Sequence, residues 1–431
     1  MRIIGNTIIH MLLLKVLVCS SLLAQQPEVD LKSYIEPMRK NLMENILRFW
    51  YPRGVDMANG GYQMHFDAKG NAKAGTKMIV TQARMVWFYA RMARAGHGDK
   101  QKMLAAADAG FRFLRDRMWD KEHGGFLWEV DATGRNVIRG GKHMYGQAFA
   151  LYALSEFALA SQRRDVTEVA LKQFEVMEER AHDNLHGGYR EWFSRDWKQA
   201  PAGETPYMGG GTGSLKLMNT HLHLLEAMTT FHQLTKLPLA RERLLELIAI
   251  ESNAVVRKDL AACTDKYERD WTPRLDNKWD RVSYGHDIEN VWLLDDALHV
   301  ADVAKSPYVD LFRQMFAYSR KYGFDEERGG FFDSGGFRAP ADQRQKVWWV
   351  QSEALVSSLK MYVLTRDPSY LAVFRKTWDF VNKYQTDWRH GEWHSTVNEK
   401  LVGTGDKGQN WKSAYHNGRA LIECIHILGS L

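Results

Sequence analysis

The turn Gly124-Gly125-Phe126 recurs along this sequence as Gly60-Gly61-Tyr62, Gly187-Gly188-Tyr189, Gly329-Gly330-Phe331 and, in worn form, His390-Gly391-Glu392-Trp393. Second glycines stand at 61, 125 and 188, then at 330, with Gly391 closing the series, so the steps within each run are 64, 63 and 61 residues. The gap between 188 and 330 holds two units of about 71, with the absent turn expected near 270–282, where Pro273, Asp276 and Asn277 gather. A glycine pair supplies backbone conformations that side chains resist, so its return at a fixed period marks one supersecondary unit, repeated six times.

Between the turns the spacing is helical. Ala83–Ala95, Met103–Arg117, Met144–Ser161, Thr220–Leu234, Ile288–Val303 and Ser352–Leu364 carry apolar residues at i, i+3 and i+4. Each unit therefore reads as two antiparallel helices with a short glycine-rich hairpin. Stacked helix pairs form an open solenoid or close on themselves. A solenoid needs polar caps at its ends. Here the first and last units are as apolar as the middle ones, so the fold expected is all-α, an (alpha/alpha)6 barrel formed by residues 25–431 as one domain.

Residues 1–24 read as a secretory signal: Arg2 precedes the apolar run Met11–Ala24, and Ser20, Ser21 and Ala24 lie near its end. Lys15 interrupts that run, which is too short to span a bilayer. Export to the periplasm is expected; without a working signal the location would be cytoplasmic. The formal charge of +6 includes Arg2 and Lys15, and no basic run or zinc-finger spacing accompanies it, so no nucleic-acid partner is expected. Cys263 and Cys424, the cysteines left after the signal, are too few for a disulfide framework. The 15 Trp suit a ligand groove or a large helical core equally.

Polar and aromatic residues gather at helix starts. In Asn219-Thr220-His221-Leu222-His223, the residues Asn219, His223 and Glu226 share one helical face. In Tyr284-Gly285-His286-Asp287-Ile288-Glu289, the i, i+3 pair His286 and Glu289 suits a general base with its carboxylate, a fragment of a metal site, or a structural pair. No HExxH or carboxylate-rich set accompanies it, so no metal or cofactor is expected. Trp348-Trp349-Val350-Gln351-Ser352-Glu353 offers indoles for the apolar faces of a sugar and polar groups for its hydroxyls. Trp411-Lys412-Ser413-Ala414-Tyr415-His416 puts His416 at a helix start, where an imidazole stays neutral. Arg84 opens an early helix, and Tyr145 lies at the start of the one from Met144. In a barrel of helix pairs, alternate helix starts meet on one rim, so Arg84, His223, His286, Trp348 or Trp349, and His416 converge on one cleft.

The segments NTHLHLLEA, YGHDIE, WWVQSEAL and WKSAYHNGR, in that order, resemble the N-acylglucosamine 2-epimerase superfamily, most of all its cellobiose 2-epimerases. The resemblance implies proton transfer at C2 of a reducing sugar through a cis-enediolate. It assigns His286 and His416 as the acid/base pair, Glu289 as the support of His286, and Arg84 as the stabiliser of the enediolate oxygen. His223 and Asn219 would help open and hold the sugar ring. Trp348, Trp349, Glu353, Trp411 and Tyr145 complete the substrate contacts. Where relatives carry an Asp-containing loop before the Asn-Thr-His segment, this chain has Gly209-Gly210-Gly211-Thr212-Gly213. The expected partner is a small sugar such as cellobiose, and the expected assembly a monomer or weak homodimer. Epimerisation of N-acylglucosamine and mannose isomerisation are the alternative activities. A glycoside hydrolase would need two carboxylates flanking the bond, whereas these clusters are rich in histidine; a non-catalytic sugar-binding protein would keep the Trp residues but has no need of His286 and His416 together.

Overall fold

Burial divides the helices into two classes. The computed structural model describes residues 30–199, 215–275 and 281–431, so the signal at 1–24 and the Gly209–Gly213 run lie outside it. In chain order the helices are α1 (Ile35–Lys40), α2 (Ile79–Arg94), α3 (Lys100–Phe113), α4 (Met144–Ser161), α5 (Arg164–Arg180) and α6 (Met218–Thr235). They continue as α7 (Pro238–Ala249), α8 (Tyr284–Val300), α9 (Val309–Gly323), α10 (Trp348–Thr365), α11 (Pro368–Phe380) and α12 (Tyr415–Ser430). In α4 every residue from Met144 to Ala158 is buried. In α5 only the stripe Val166, Ala170, Gln173, Phe174 and Met177 is. The first pattern belongs to a helix surrounded by others, the second to one with a wet face.

Even-numbered helices form the inner ring. Each packs against the next, and α12 returns to pack against α2. The odd-numbered helices lie outside, and α1 packs on α12, so the two ends of the described chain close the double ring. This is the (alpha/alpha)6 barrel. Inner-to-outer turns are tight; Gln162 (φ 57°), Lys236 (φ 55°) and Arg366 (φ 59°) end α4, α6 and α10 in the left-handed conformation. The longer outer-to-inner connections carry the Gly-Gly-aromatic turns and short antiparallel ladders such as Lys142–His143 against Trp192–Phe193. They place all six inner-helix N-termini on one rim.

Each glycine-pair turn is locked from the helix it introduces. Gln82, Gln147 and Gln351, in the first turns of α2, α4 and α10, accept from the backbone N–H of Tyr62 (2.8 Å), Phe126 (2.9 Å) and Phe331 (2.8 Å). His221 Nε2 does the same for Tyr189 at 3.0 Å. A buried lysine two residues before the helix pairs with the aspartate four residues before the first glycine: Lys77–Asp56 (2.8 Å), Lys142–Asp120 (3.0 Å), Lys216–Asp183 (3.1 Å) and Lys346–Asp325 (2.8 Å). Gly125 sits at φ 70°, and a Cβ there would meet the Trp197 ring at 2.5 Å.

Three expectations need correction. The absent turn is not at 270–282, of which 276–280 lie outside the described residues. It is Ala261-Ala262-Cys263: Val256 pairs with Cys263 across the interval seen in Trp119–Phe126 and Phe324–Phe331, and Ala261 takes φ 55°. Asp287 Oδ1 replaces the glutamine clamp, accepting from Cys263 N–H at 3.2 Å. In the worn turn Gly391 holds the first glycine's place and Glu392 the second, at φ 62°. Helix α2 also begins at Ile79, four residues before Ala83, because the polar pair Thr81-Gln82 is turned inward and buried. Cys263 and Cys424 are buried free thiols. Among the described residues no helix is long and apolar enough to cross a membrane.

Candidate active site

Arg84, Tyr145, Asn219, His223, His286, Glu289, Trp348, Trp349, Trp411 and His416 line a single cavity of about 210 Å³ at the rim of the inner helix starts. All six inner helices contribute, and Trp411 comes from the loop before α12. The positive ends of six helix dipoles face this space, which favours an anion inside it. Glu353 does not line the cavity. It lies fully buried behind it, where its Oε1 accepts from His416 Nδ1 at 2.7 Å and its Oε2 from Trp292 Nε1 at 2.9 Å. The sugar contact expected of Glu353 is therefore replaced by an orienting role toward His416.

Two buried His–Glu pairs set the tautomers of His416 and His223. The Glu353 carboxylate fixes the Nδ1–H form of His416, which leaves Nε2 as a base. His223 Nδ1 donates to Glu226 Oε2 at 3.1 Å in the same manner. His286 has a different neighbour from the one expected: its ring lies against Trp349, centroids 4.7 Å apart and planes 33° apart. Glu289, one helical turn on, is turned instead to Arg419, whose Nη2 donates to its Oε1 at 2.6 Å. A guanidinium outcompetes a neutral imidazole for a buried carboxylate.

Arg419, the last residue of the WKSAYHNGR segment, organises the floor. It binds Glu226, Glu289 (2.6 Å) and Glu353 (2.9 Å) at once, and Tyr415 OH donates to Glu226 Oε2 at 2.6 Å. Three carboxylates from α6, α8 and α10 thus meet one cation from α12. Burial opposes ionisation of Glu226, but Arg419, His223 and Tyr415 hold it down at about 2. Burial, with Glu353 nearby, pushes Glu289 up to about 7.

Burial lowers all three cavity histidines. His286 falls to about 4, and His416 falls well below its ordinary value, with Arg84 and Arg419 adding to the effect. His223 also falls, with Glu226 opposing. All three are neutral at pH 7. Arg84 is held by its own donations to the carbonyl of Trp411 (3.0 Å) and the hydroxyl of Tyr145 (2.9 Å). Glu392, the non-glycine in the worn turn, accounts for its strained backbone: its Oε1 accepts from Lys412 Nζ at 2.9 Å and pins the loop that carries Trp411. Asn219 Oδ1, Glu289 Oε2 and Trp348 Nε1 are buried without a protein partner among the described residues. A polar ligand in the cavity would satisfy them.

The sequence profile of the N-acylglucosamine 2-epimerase (GlcNAc 2-epimerase) family matches residues 60–420. The chain belongs to that family. It is 30% identical over 406 residues to the cellobiose 2-epimerase of Dictyoglomus turgidum, covering 92% of this chain and 99% of the relative. It is 24% identical over 416 residues to the D-mannose isomerase of Marinomonas mediterranea, covering 93% and 99%. The solved cellobiose 2-epimerase of Spirochaeta thermophila superposes with a TM-score of 0.84 at 30% identity, over 94% of this chain and 99% of that one. The family chain is thus an isomerase of the sugar-epimerase kind on an (alpha/alpha)6 barrel.

Proposed function

We propose that the enzyme epimerises C2 of the reducing-end glucose or mannose unit of a β-1,4-linked disaccharide such as cellobiose. One imidazole removes the C2 proton, Arg84 and the helix N-termini stabilise the cis-enediolate, and a second imidazole reprotonates the opposite face. The observation that carries this reading is that His286 of α8 and His416 of α12 both line one small cavity, with Trp349 of the intervening α10 against each, at 4.7 and 5.8 Å between centroids. Proton abstraction next to a carbonyl needs a neutral base, and both imidazoles are neutral at pH 7. Developing negative charge on the sugar then favours the imidazolium that forms. His223, backed by Glu226, and Asn219 suit ring opening and positioning.

The reaction needs no metal in this reading. Glu289, Glu353 and His416 offer ligand atoms within 4.8 Å of one another. Arg419 already supplies the positive charge for both carboxylates. Incubation with cellobiose, mannobiose, N-acetylglucosamine, glucose and mannose, with products read by NMR, tests substrate and outcome together. Cellobiose is expected to give its C2 epimer at a rate unchanged by dialysis against EDTA. A ketose as the main product would favour isomerisation, and loss of activity restored by a divalent ion would overturn the metal-free mechanism.

A further inference from the structure

A second cavity, of about 760 Å³, enters the barrel from the opposite end, between the C-terminal halves of the inner helices. Thr229, Thr230, His299 and His426 are among its lining residues, and its inner end reaches Glu226 and Arg419. The sugar-side cavity ends on His223, Glu289 and His416. A single charged layer therefore separates the two spaces: Glu226 faces the far cavity and accepts from His223 Nδ1 at 3.1 Å, and His223 faces the sugar.

The far cavity is built for water rather than for a charged ligand. Its cations already have carboxylate partners: Arg91 with Glu423 (2.6 Å), Arg94 with Glu156 (2.9 Å), and Lys360 with Asp296. Its walls carry hydroxyl, amide and imidazole groups, and Arg91 Nε has no hydrogen-bond acceptor among the described residues. A polar space this large has room for a chain of waters, each occupying about 30 Å³ in the liquid.

We infer that the far cavity is a proton path, which connects bulk water to the sugar site through Glu226 and His223 while the sugar occupies the rim. The inference rests on the proton-transfer reaction proposed above. Opening a sugar ring requires a proton to leave one hydroxyl. As His223 Nε2 takes it, the Nδ1 proton passes to Glu226 and on to a water in the far cavity in one concerted step, because Arg419 and Tyr415 keep Glu226 ionised before and after. The C1–O5 bond breaks as the C1 carbonyl forms, and the reverse sequence resets the imidazole: a water in the far cavity returns a proton through Glu226 to Nδ1, and the Nε2 proton goes to the ring oxygen. The proton released to solvent is thus matched by one taken up from it, and the opened sugar is neutral. A closed floor would leave the rim as the only route, which the substrate itself obstructs.

The test blocks each end in turn. In ¹⁵N-histidine-labelled protein, the Nδ1–H signal of His223 is assigned by its loss in His223→Asn, and its exchange with water is measured by NMR. Thr230→Trp fills the far cavity beneath Glu226, and Thr230→Val controls for loss of the hydroxyl. Gln233→Trp, at an exposed lining position of the same cavity, serves as the second far-end block if Thr230→Trp fails to fold. Asn219→Trp fills the rim. We expect far-end blocking to slow exchange at least tenfold, and Asn219→Trp to leave it within twofold. The path is overturned if the rim block slows exchange more than the far block, or if a folded far block leaves the rate at the wild-type value. Exchange at His223 is read without turnover. Failure of this path therefore stands apart from failure of the proposed reaction, which would show as absent conversion of the sugar panel.

Discussion

His286→Ala and His416→Ala each lower kcat by roughly two to four orders of magnitude, the usual contribution of a positioned acid or base. Neither change disturbs the core beyond the cavity wall. In His416→Ala the buried Glu353 carboxylate keeps Arg419 and Trp292 as partners, so no buried charge is orphaned. In His286→Ala the loss is one face of the Trp349 packing. Circular dichroism and the unfolding midpoint therefore stay close to wild type while turnover collapses. Either variant turning over cellobiose at a near-normal rate would remove that residue from the mechanism.

Arg419→Met has the largest expected effect on stability. It strips the shared cation from Glu226, Glu289 and Glu353, which are 4%, 0% and 0% exposed. Breaking a buried ion pair from one side costs about 3–5 kcal/mol, and here three carboxylates lose one partner. The sign of the pH dependence follows. Without Arg419 the folded-state pKa of these carboxyls rises above the unfolded value. Such groups contribute stability at low pH and lose it as pH climbs through the folded pKa. In the wild type Glu289 already stands at about 7, whereas Glu226 stands at about 2. Thermal unfolding of Arg419→Met against wild type should thus show a larger deficit at pH 8 than at pH 5. A deficit that shrinks as pH rises would mean that the three carboxylates are not held by this arginine.

The contrast between these residues shows where the sequence was legible. Glycine pairs, helical periodicity and the clustering of His, Trp and Arg at helix starts are local patterns, and they led to the six helix pairs and to nine of the ten cavity-lining residues, Tyr145 coming from the family resemblance. The features that escaped are those set by distant partners. Glu353 lies four residues from Trp349, which reads as a sugar-facing pair, but the charge of Arg419 from another helix draws it behind His416. Glu289 turns from His286 for the same reason. The turn at Ala261-Ala262-Cys263 carries no glycine, so its place emerges only from the Val256–Cys263 pairing. The aspartate four residues before each first glycine, and the lysine two residues before four of the inner helices, were visible in the sequence. They gain meaning once the ring brings them within 3 Å or so of each other.

The fate of the C2 hydrogen tests the central claim most directly. In the two-histidine mechanism the hydrogen leaves as a proton to one imidazole, and a different imidazole supplies its replacement. These groups exchange with water, and turnover is typically only about 1–1,000 per second. Cellobiose converted in deuterium oxide should therefore give an epimer carrying deuterium at C2, nearly completely in a single pass, as read by NMR of the product. An epimer that retains protium at C2 would contradict proton transfer through an enediolate and leave a hydride shift in its place.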